Sequence, residues 1–359
     1  MSIKNLSFKY FFSELTKSTF LFLLGFCFLF ILLDYSVRFK WFTHSSIPVL
    51  DLFKYYSCNL LSKSYLLLPL ALLISFIKVL SHGVISKEIL ALLTGGMSYK
   101  KIFYPFFCFI AINMLFLYFN TELLIPKATT YVTHFEDKFF HGFQKGKKLF
   151  KIHQLKLQDD SRIVFKEFHP SSLVLEDAFW IKSFQDIVHI QSLDLSKNPP
   201  EGKYVDYLSE NSDGLLEKTD SKKSITFSNI KLDSLGFSSL ILPPSRQSLS
   251  QLYSSLPWRH QAKSDEDAIV LTHFHYKLAL PFTLLLAFFG PAPFILSFSR
   301  NLPIFYIFSF SLLIFISFFM LLESCLILAE SGVIYPPLAI WLPFSLFFAI
   351  AINKFRKVI

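Results

Sequence analysis

Cysteine is scarce in this chain. Four occur in 359 residues, at Cys27, Cys58, Cys108 and Cys325. All four lie in or beside apolar runs, and none falls in the long polar middle. This excludes a disulfide framework for the middle region and reads the four as buried apolar side chains. The local signatures of catalysis are missing too. No G-x-S-x-G, H-E-x-x-H or paired-cysteine zinc motif occurs, so neither a serine hydrolase nor a zinc enzyme is indicated. A G-x-x-x-x-G-K-[ST] phosphate loop is also lacking, and "GGMSYKK" does not satisfy it.

What is present in excess is apolar. The chain is 53% hydrophobic, with mean hydropathy +0.47 and 45 phenylalanines. Soluble domains sit near 45–50% apolar, so the excess indicates a membrane protein. Crossing the hydrocarbon core takes about 20 mostly apolar residues, and six runs qualify. The first centres on Phe20–Leu33, and the next two cover Leu60–Leu80 and Ile102–Leu124. The last three run over His275–Phe298, Ile304–Ala329 and Pro337–Asn353. The first run lacks a small-residue cleavage site and follows a charged amphipathic stretch, so it reads as a span rather than a signal peptide.

The net charge of +9 fits basic loops on one membrane face better than nucleic-acid binding. Lys4, Lys9 and Lys17 precede span one, and Lys87, Lys100 and Lys101 lie between spans two and three. Arg300 follows span four; Lys354, Arg356 and Lys357 follow span six. All fall on one side if both termini are cytoplasmic. The middle is then extracytoplasmic. There, runs such as "RIVFKEF", "SLVLEDAFWI" and "DIVHIQSLDL" are divided by "HPSS", "KNPPEG" and "NSDG". That pattern predicts an all-β domain of short strands, a sandwich or jelly roll. "SLSQLYSSL" then has helical spacing. The expected architecture is six transmembrane helices, 3+3, with one inserted extracytoplasmic β domain. Residues 1–125 carry helices one to three, 126–270 the β domain and 271–359 helices four to six.

Between spans two and three stands "KEILALLTGGMSYKK". Ile89, Leu90, Leu92 and Leu93 are apolar, Glu88 suits a helix N-terminus, and Gly95-Gly96 is a stop signal. A short cytoplasmic helix near 86–96 follows. It either rests on lipid headgroups or docks into a cytoplasmic partner.

"KEILALLTGGMS" resembles the cytoplasmic helix of the LptF/LptG (YjgP/YjgQ) lipopolysaccharide-export permeases, with Glu88, Ala91 and Gly96 on the family's acidic, small and glycine positions. "HYKLALPFTLLLAFFGPAPFILSF" resembles the family's basic residue followed by "LALP", and "LAESGVIYPPLAIWLP" its entry into the sixth helix. The order of spans and the inserted jelly roll are similar as well. The resemblance implies a heterodimer with a paralogous permease, a cytoplasmic ATPase dimer, and lipopolysaccharide extracted from the inner membrane. It also implies a periplasmic bridge protein whose jelly roll receives that lipid. The chain itself would be no enzyme and need no cofactor, with ATP bound by the partner and Glu88, Ala91 and Gly96 at the ATPase-coupling helix.

Two departures stand out. The family lysine near the outer end of helix one is absent from "LLDYSVRFK". Asp34 and Tyr35 occupy the expected place, and Arg38 follows. Arg38 could grip a phosphate or snorkel to the interface. Phe344 stands where the family often has asparagine. Further candidates at the lipid cavity are Glu323, an acid inside span five, and Lys277, which matches the family's basic residue. Glu323 reads as cavity-facing or as hydrated near the outer boundary, and Lys277 as a lipid contact or a helix anchor. The histidine pair in "HFHYK" lacks further metal ligands. The lysines at 138, 145, 147, 148, 151 and 156 read as a solvated face or as attraction to phosphorylated glycolipid.

The sequence leaves other readings open. A permease for another lipid or a lipoprotein would look alike. A membrane-anchored sensor would need an output domain supplied by a partner, and a secondary transporter would need midplane charges or broken helices.

Overall fold

A computed structural model of the chain describes residues 3–44, 47–140, 153–157, 161–169, 173–182, 186–197, 199–210, 216–227, 243–256, 265–297 and 303–357. They belong to two compact units, one spanning Met1–Gly142 with Arg246–Ile359, the other Phe143–Ser245.

The first unit is helical. Helix α1 (Ile3–His44) is followed by α2 (Val49–Ser62), α3 (Ser64–Ile85), α4 (Glu88–Thr94) and α5 (Tyr99–Phe119). A π turn (Asn120–Leu124) leads into α6 (Ile125–Phe139). After the β unit come α7 (Leu249–Ser254) and α8 (Asp265–Ala279). A 3-10 turn (Leu280–Phe282), α9 (Thr283–Phe289) and α10 (Ala292–Leu296) precede α11 (Ile304–Glu330) and α12 (Pro336–Arg356). Six segments are long and apolar enough to cross a membrane: Leu6–Phe42, Ser64–Ile85, Tyr99–Glu136, Asp267–Leu296, Ile304–Glu330 and Pro336–Arg356. They correspond to the six runs read from the sequence. Span four is interrupted where Pro281 and Pro291 cannot donate to the helix ladder. Pro69, Pro105 and Pro343 sit inside unbroken helices, as spans permit when neighbours satisfy the freed carbonyls.

The helical unit takes in residues 126–142 and 246–270, which composition alone assigned to the β domain. Span three does not stop at Leu124. The π turn and α6 carry it on, with Pro126 in the first turn of α6, where its missing N–H costs nothing. Helix α6 is amphipathic and threonine-rich, so its residues read as polar loop. It lays Phe135 against Tyr55 and Tyr56 of α2. Helix α7 is held by a capping box: Gln251 N donates to Ser248 Oγ, and Ser248 N donates to Gln251 Oε1.

The second unit is an antiparallel sheet of β1 (His153–Lys156), β2 (Arg162–Phe165), β3 (Glu167–His169), β4 (Val174–Ile181), β5 (Asp186–Asp194), β6 (Glu201–Glu210) and β7 (Leu216–Thr226). Both β2 and β3 pair with β4, so they act as one strand interrupted at Lys166. Otherwise each strand pairs with the next in sequence. Ile163, Leu175, Trp180, Val188, Ile190 and Val205 share one core; alternation along β4 is broken at Asp177, whose φ is 54°, so Leu175 and Trp180 both face inward. Gly202 is required there, because a Cβ would lie 2.6 Å from the Phe227 ring. The chain is thus a helical membrane protein with an inserted β domain. A second sheet, which a jelly roll requires, is not among the described residues. Lys145, Lys147, Lys148 and Lys151 lie outside the described residues.

Candidate functional site

Helix α4 combines one anchored residue with an exposed face. The chain leaves α3 through Ser86 and turns at Lys87, whose φ of 60° is left-handed. Seven residues later it stops in a Schellman motif. Met97 N donates to Leu92 O and Gly96 N to Leu93 O, both at 3.0 Å, with Gly96 at φ 84°. Gly96 thus provides the stop that "TGG" announced, because a side chain there would be strained. Within α4, Ile89 is fully buried against the helical core, whereas Leu90, Ala91 and Thr94 are exposed. Leu92 and Leu93 are half-buried against the same core.

Glu88 points back into the bundle. Tyr10 OH donates to its Oε1 at 3.3 Å, and His82 Nδ1 lies 3.9 Å from the same oxygen. Its Oε2 is shielded and makes no hydrogen bond. Tyr10, Glu14, Lys78, His82 and Glu88 line a small cleft of about 60 Å³ between α1, α3 and α4, roomy enough for about one or two waters. Ring contacts tie the first turns of α1 and the last turn of α12 to the start of α5, which follows α4: Phe8 lies 5.8 Å from Tyr104, Phe11 5.6 Å from Phe106, and Phe355 5.9 Å from Phe103. Helix α4 therefore shares one end of the helical unit with the first turns of α1 and the last turn of α12.

Arg38 lies at the opposite end, about 42 Å along α1 from Tyr10 at ~1.5 Å per residue. Its Nε lies 3.1 Å from Asp34 Oδ1, and its Nη1 pairs with Glu136 Oε1 of α6. Tyr55 OH of α2 donates to that same glutamate oxygen at 3.1 Å. The guanidinium also sits over the rings of Phe140 and Tyr55, at 5.5 and 5.8 Å. One arginine thus answers two carboxylates and clasps α1, α2 and α6 together. Burial, with Asp34 nearby, pushes the Tyr55 and Tyr56 phenols up, so both remain protonated. Tyr35 is exposed and stacks on Phe42 at 5.5 Å.

Lys277 and Glu323 belong to other groups. Lys277 is buried, and its ammonium donates to the carbonyl of Gln247, just before α7. Helix α7 is also held by Glu122 of the π turn, which accepts from Ser250 N at 3.2 Å and from its hydroxyl. Glu323 is exposed on α11 and accepts from Tyr276 OH at 2.6 Å. His273 pairs with Glu330 at 2.9 Å, and His275 Nδ1 accepts from Trp341 Nε1 at 3.2 Å. The two histidines thus diverge, and among the described residues no group of three His, Cys, Asp or Glu could hold a metal ion. Phe344 is buried against the Phe318 ring at 5.0 Å, so an asparagine there would need a new hydrogen-bond partner.

Sequence reasoning missed Glu136, Tyr55 and Glu122. Glu122 was accessible as a lone acid in "FLYFNTELLIP", where a charge among apolar residues signals a specific partner. Glu136 had no such signal, because its surroundings read as polar loop.

The family profile described as "Lipopolysaccharide export system permease LptF/LptG" matches residues 9–357. That is nearly the whole chain, and the chain belongs to this family. A search of curated proteins returned no match.

Proposed function

We propose that this LptF/LptG-family chain is one permease subunit of an ATP-driven lipopolysaccharide exporter in a bacterial inner membrane. Its end bearing α4 and both termini faces the cytoplasm, where basic residues concentrate; its β domain is periplasmic. A paralogous permease completes the membrane part. A cytoplasmic ATPase dimer binds nucleotide and supplies the force, and this chain carries no cofactor. Lipid leaving the spans passes along the β domain to a matching jelly roll of a periplasmic bridge protein.

The observation that carries this reading is the division of α4. Ile89 is sunk in the bundle while Leu90, Ala91 and Thr94 face outward. A two-turn helix so placed can take a push on its outer face and pass it inward. Ala91 and Gly96 belong to the receiving face, and Glu88 ties the helix to α1 through Tyr10. Tyr35 and Glu323, both exposed, border the lipid cavity. Arg38 and Lys277 shape it by holding α1 and α7, since each already has partners in this chain.

Gentle detergent extraction and pull-down test the reading. Wild type should recover an ATPase subunit, while Ala91→Arg and Glu88→Ala should lose it. Mass spectrometry of the bound lipid should find lipopolysaccharide. A wild-type complex without an ATPase removes the exporter reading. A different lipid would keep the permease and change its cargo.

A further inference from the structure

We propose that Gly83 on α3 and Phe11 on α1 form a close-fitting socket for Ile89, and that motion of α4 enters the spans through this contact. The inference rests on the exporter reading above and adds the positioning residues that make α4 a transmitting element.

Three observations carry it. First, Ile89 is the one described residue of α4 that is buried. Leu92 and Leu93 are only half-buried against the same core, and the polar contacts of Glu88 are long, at 3.3 and 3.9 Å. Second, the fit has no slack. A Cβ built on Gly83 would lie 3.2 Å from both Cδ1 and Cγ1 of Ile89, and 3.7 Å from the Phe11 ring. Glycine at 83 lets the knob touch helix backbone, and a close-packed contact passes displacement on rather than absorbing it. Third, Phe11 leads onward. Its ring lies 5.6 Å from Phe106, which lies 5.7 Å from Phe288, itself 6.0 Å from Phe355. Helices α1, α5, α9 and α12 are thereby in ring contact behind the socket. Helix α1 is buried around Phe11, Leu15, Ser18 and Thr19, but none of residues 20–42 is buried. A push at Phe11 therefore acts on the buried foot of a long helix whose next fully engaged point is the Arg38 pair with Glu136.

The test is a size swap in the reconstituted complex of both permease subunits and the ATPase. Gly83→Ala, Ile89→Val and the double variant are compared with wild type. Three quantities are read: thermal midpoint, ATPase retained, and lipid released per ATP hydrolysed. Gly83→Ala should retain the ATPase and lower lipid per ATP by about fivefold or more, the scale of a modest coupling free energy. Ile89→Val removes one of the two atoms that the new methyl meets, so the double variant should recover most of the lost ratio. A Gly83→Ala complex with ATPase bound and an unchanged ratio overturns the inference. So does a double variant that recovers nothing while its thermal midpoint matches wild type. If both ATPase retention and the ratio fall and Ile89→Val restores neither, Gly83 serves folding alone and the inference falls. A wild-type complex that holds no ATPase overturns the exporter reading first, and this inference with it.

Discussion

The two ends of helix α1 are fastened by different physics. At the α4 end, Phe11 and Leu15 are buried among apolar side chains, and the one hydrogen bond to Glu88 of α4, from Tyr10, is long at 3.3 Å. At the far end, Arg38 is held by Asp34 and Glu136, with a tyrosine hydroxyl sharing the glutamate. The apolar contact is non-directional and insensitive to salt. It resists compression whatever the direction of approach, which suits a part that passes motion on. The charged clasp is directional and fixes one geometry. Its pieces come from α1, α2 and α6, beside the point where the chain leaves for the β unit. The contrast teaches that one long helix can be a pivot at one end and a fixed post at the other.

Breaking the clasp should have the largest effect. Arg38→Ala leaves two carboxylates without their cation, which should lower stability by about 3 kcal/mol, near the low end for a buried pair because the arginine keeps 23% of its side-chain exposure. Thermal unfolding in detergent reads this. Adding Glu136→Gln should recover part of the loss, and a double variant no better than Arg38→Ala alone would refute the clasp. High salt should narrow the gap between Arg38→Ala and wild type.

Ile89→Ala comes next, at about 2 kcal/mol, the low end for a buried aliphatic truncation because α4 can settle into the space. That loss should be the same at low and high salt. If salt changes it as much as it changes the Arg38 effect, the two ends do not differ as described. Tyr55→Phe removes one hydrogen bond to a carboxylate and should cost about 1.5 kcal/mol, read by the same melt. The smallest change is Lys87→Gly. The left-handed turn at φ 60° costs a lysine about 1 kcal/mol, so glycine should raise stability by about half that, its larger unfolded-state entropy removing the rest. A lowered melting temperature for Lys87→Gly would show that lysine makes a contact worth more than the strain.

The six spans were legible because each is a long apolar run whose length alone matches the bilayer. The short helix was legible for a different reason. Glu88, the apolar run and Gly96 are neighbours in sequence, and a helix with its stop is a local structure. The strands were legible as short apolar runs divided by turn residues, as in "SLVLEDAFWI", and less so where Lys166 interrupts β2 and β3. The boundary between helical and β units was not legible. Helix α6 buries one narrow aromatic face and shows threonines elsewhere, so its average composition is that of a loop. The roles of Arg38 and Lys277 were open for the same kind of reason. The sequence shows a cation near a membrane boundary, whereas its partner is a glutamate 98 residues away or a carbonyl 30 residues away.

By itself, then, the sequence determined what depends on near neighbours and on totals: the membrane class, the number of spans, the β insert, the capped α4 and the family pattern. Apolar run length, alternation and glycine stops act over a few residues and need no fold to be read. Only the tertiary structure decided which side of α4 is anchored, which carboxylates hold Arg38, and that Gly83 receives Ile89. Those facts depend on distances between segments far apart in the chain. Packing and paired charges exist only once the segments have met.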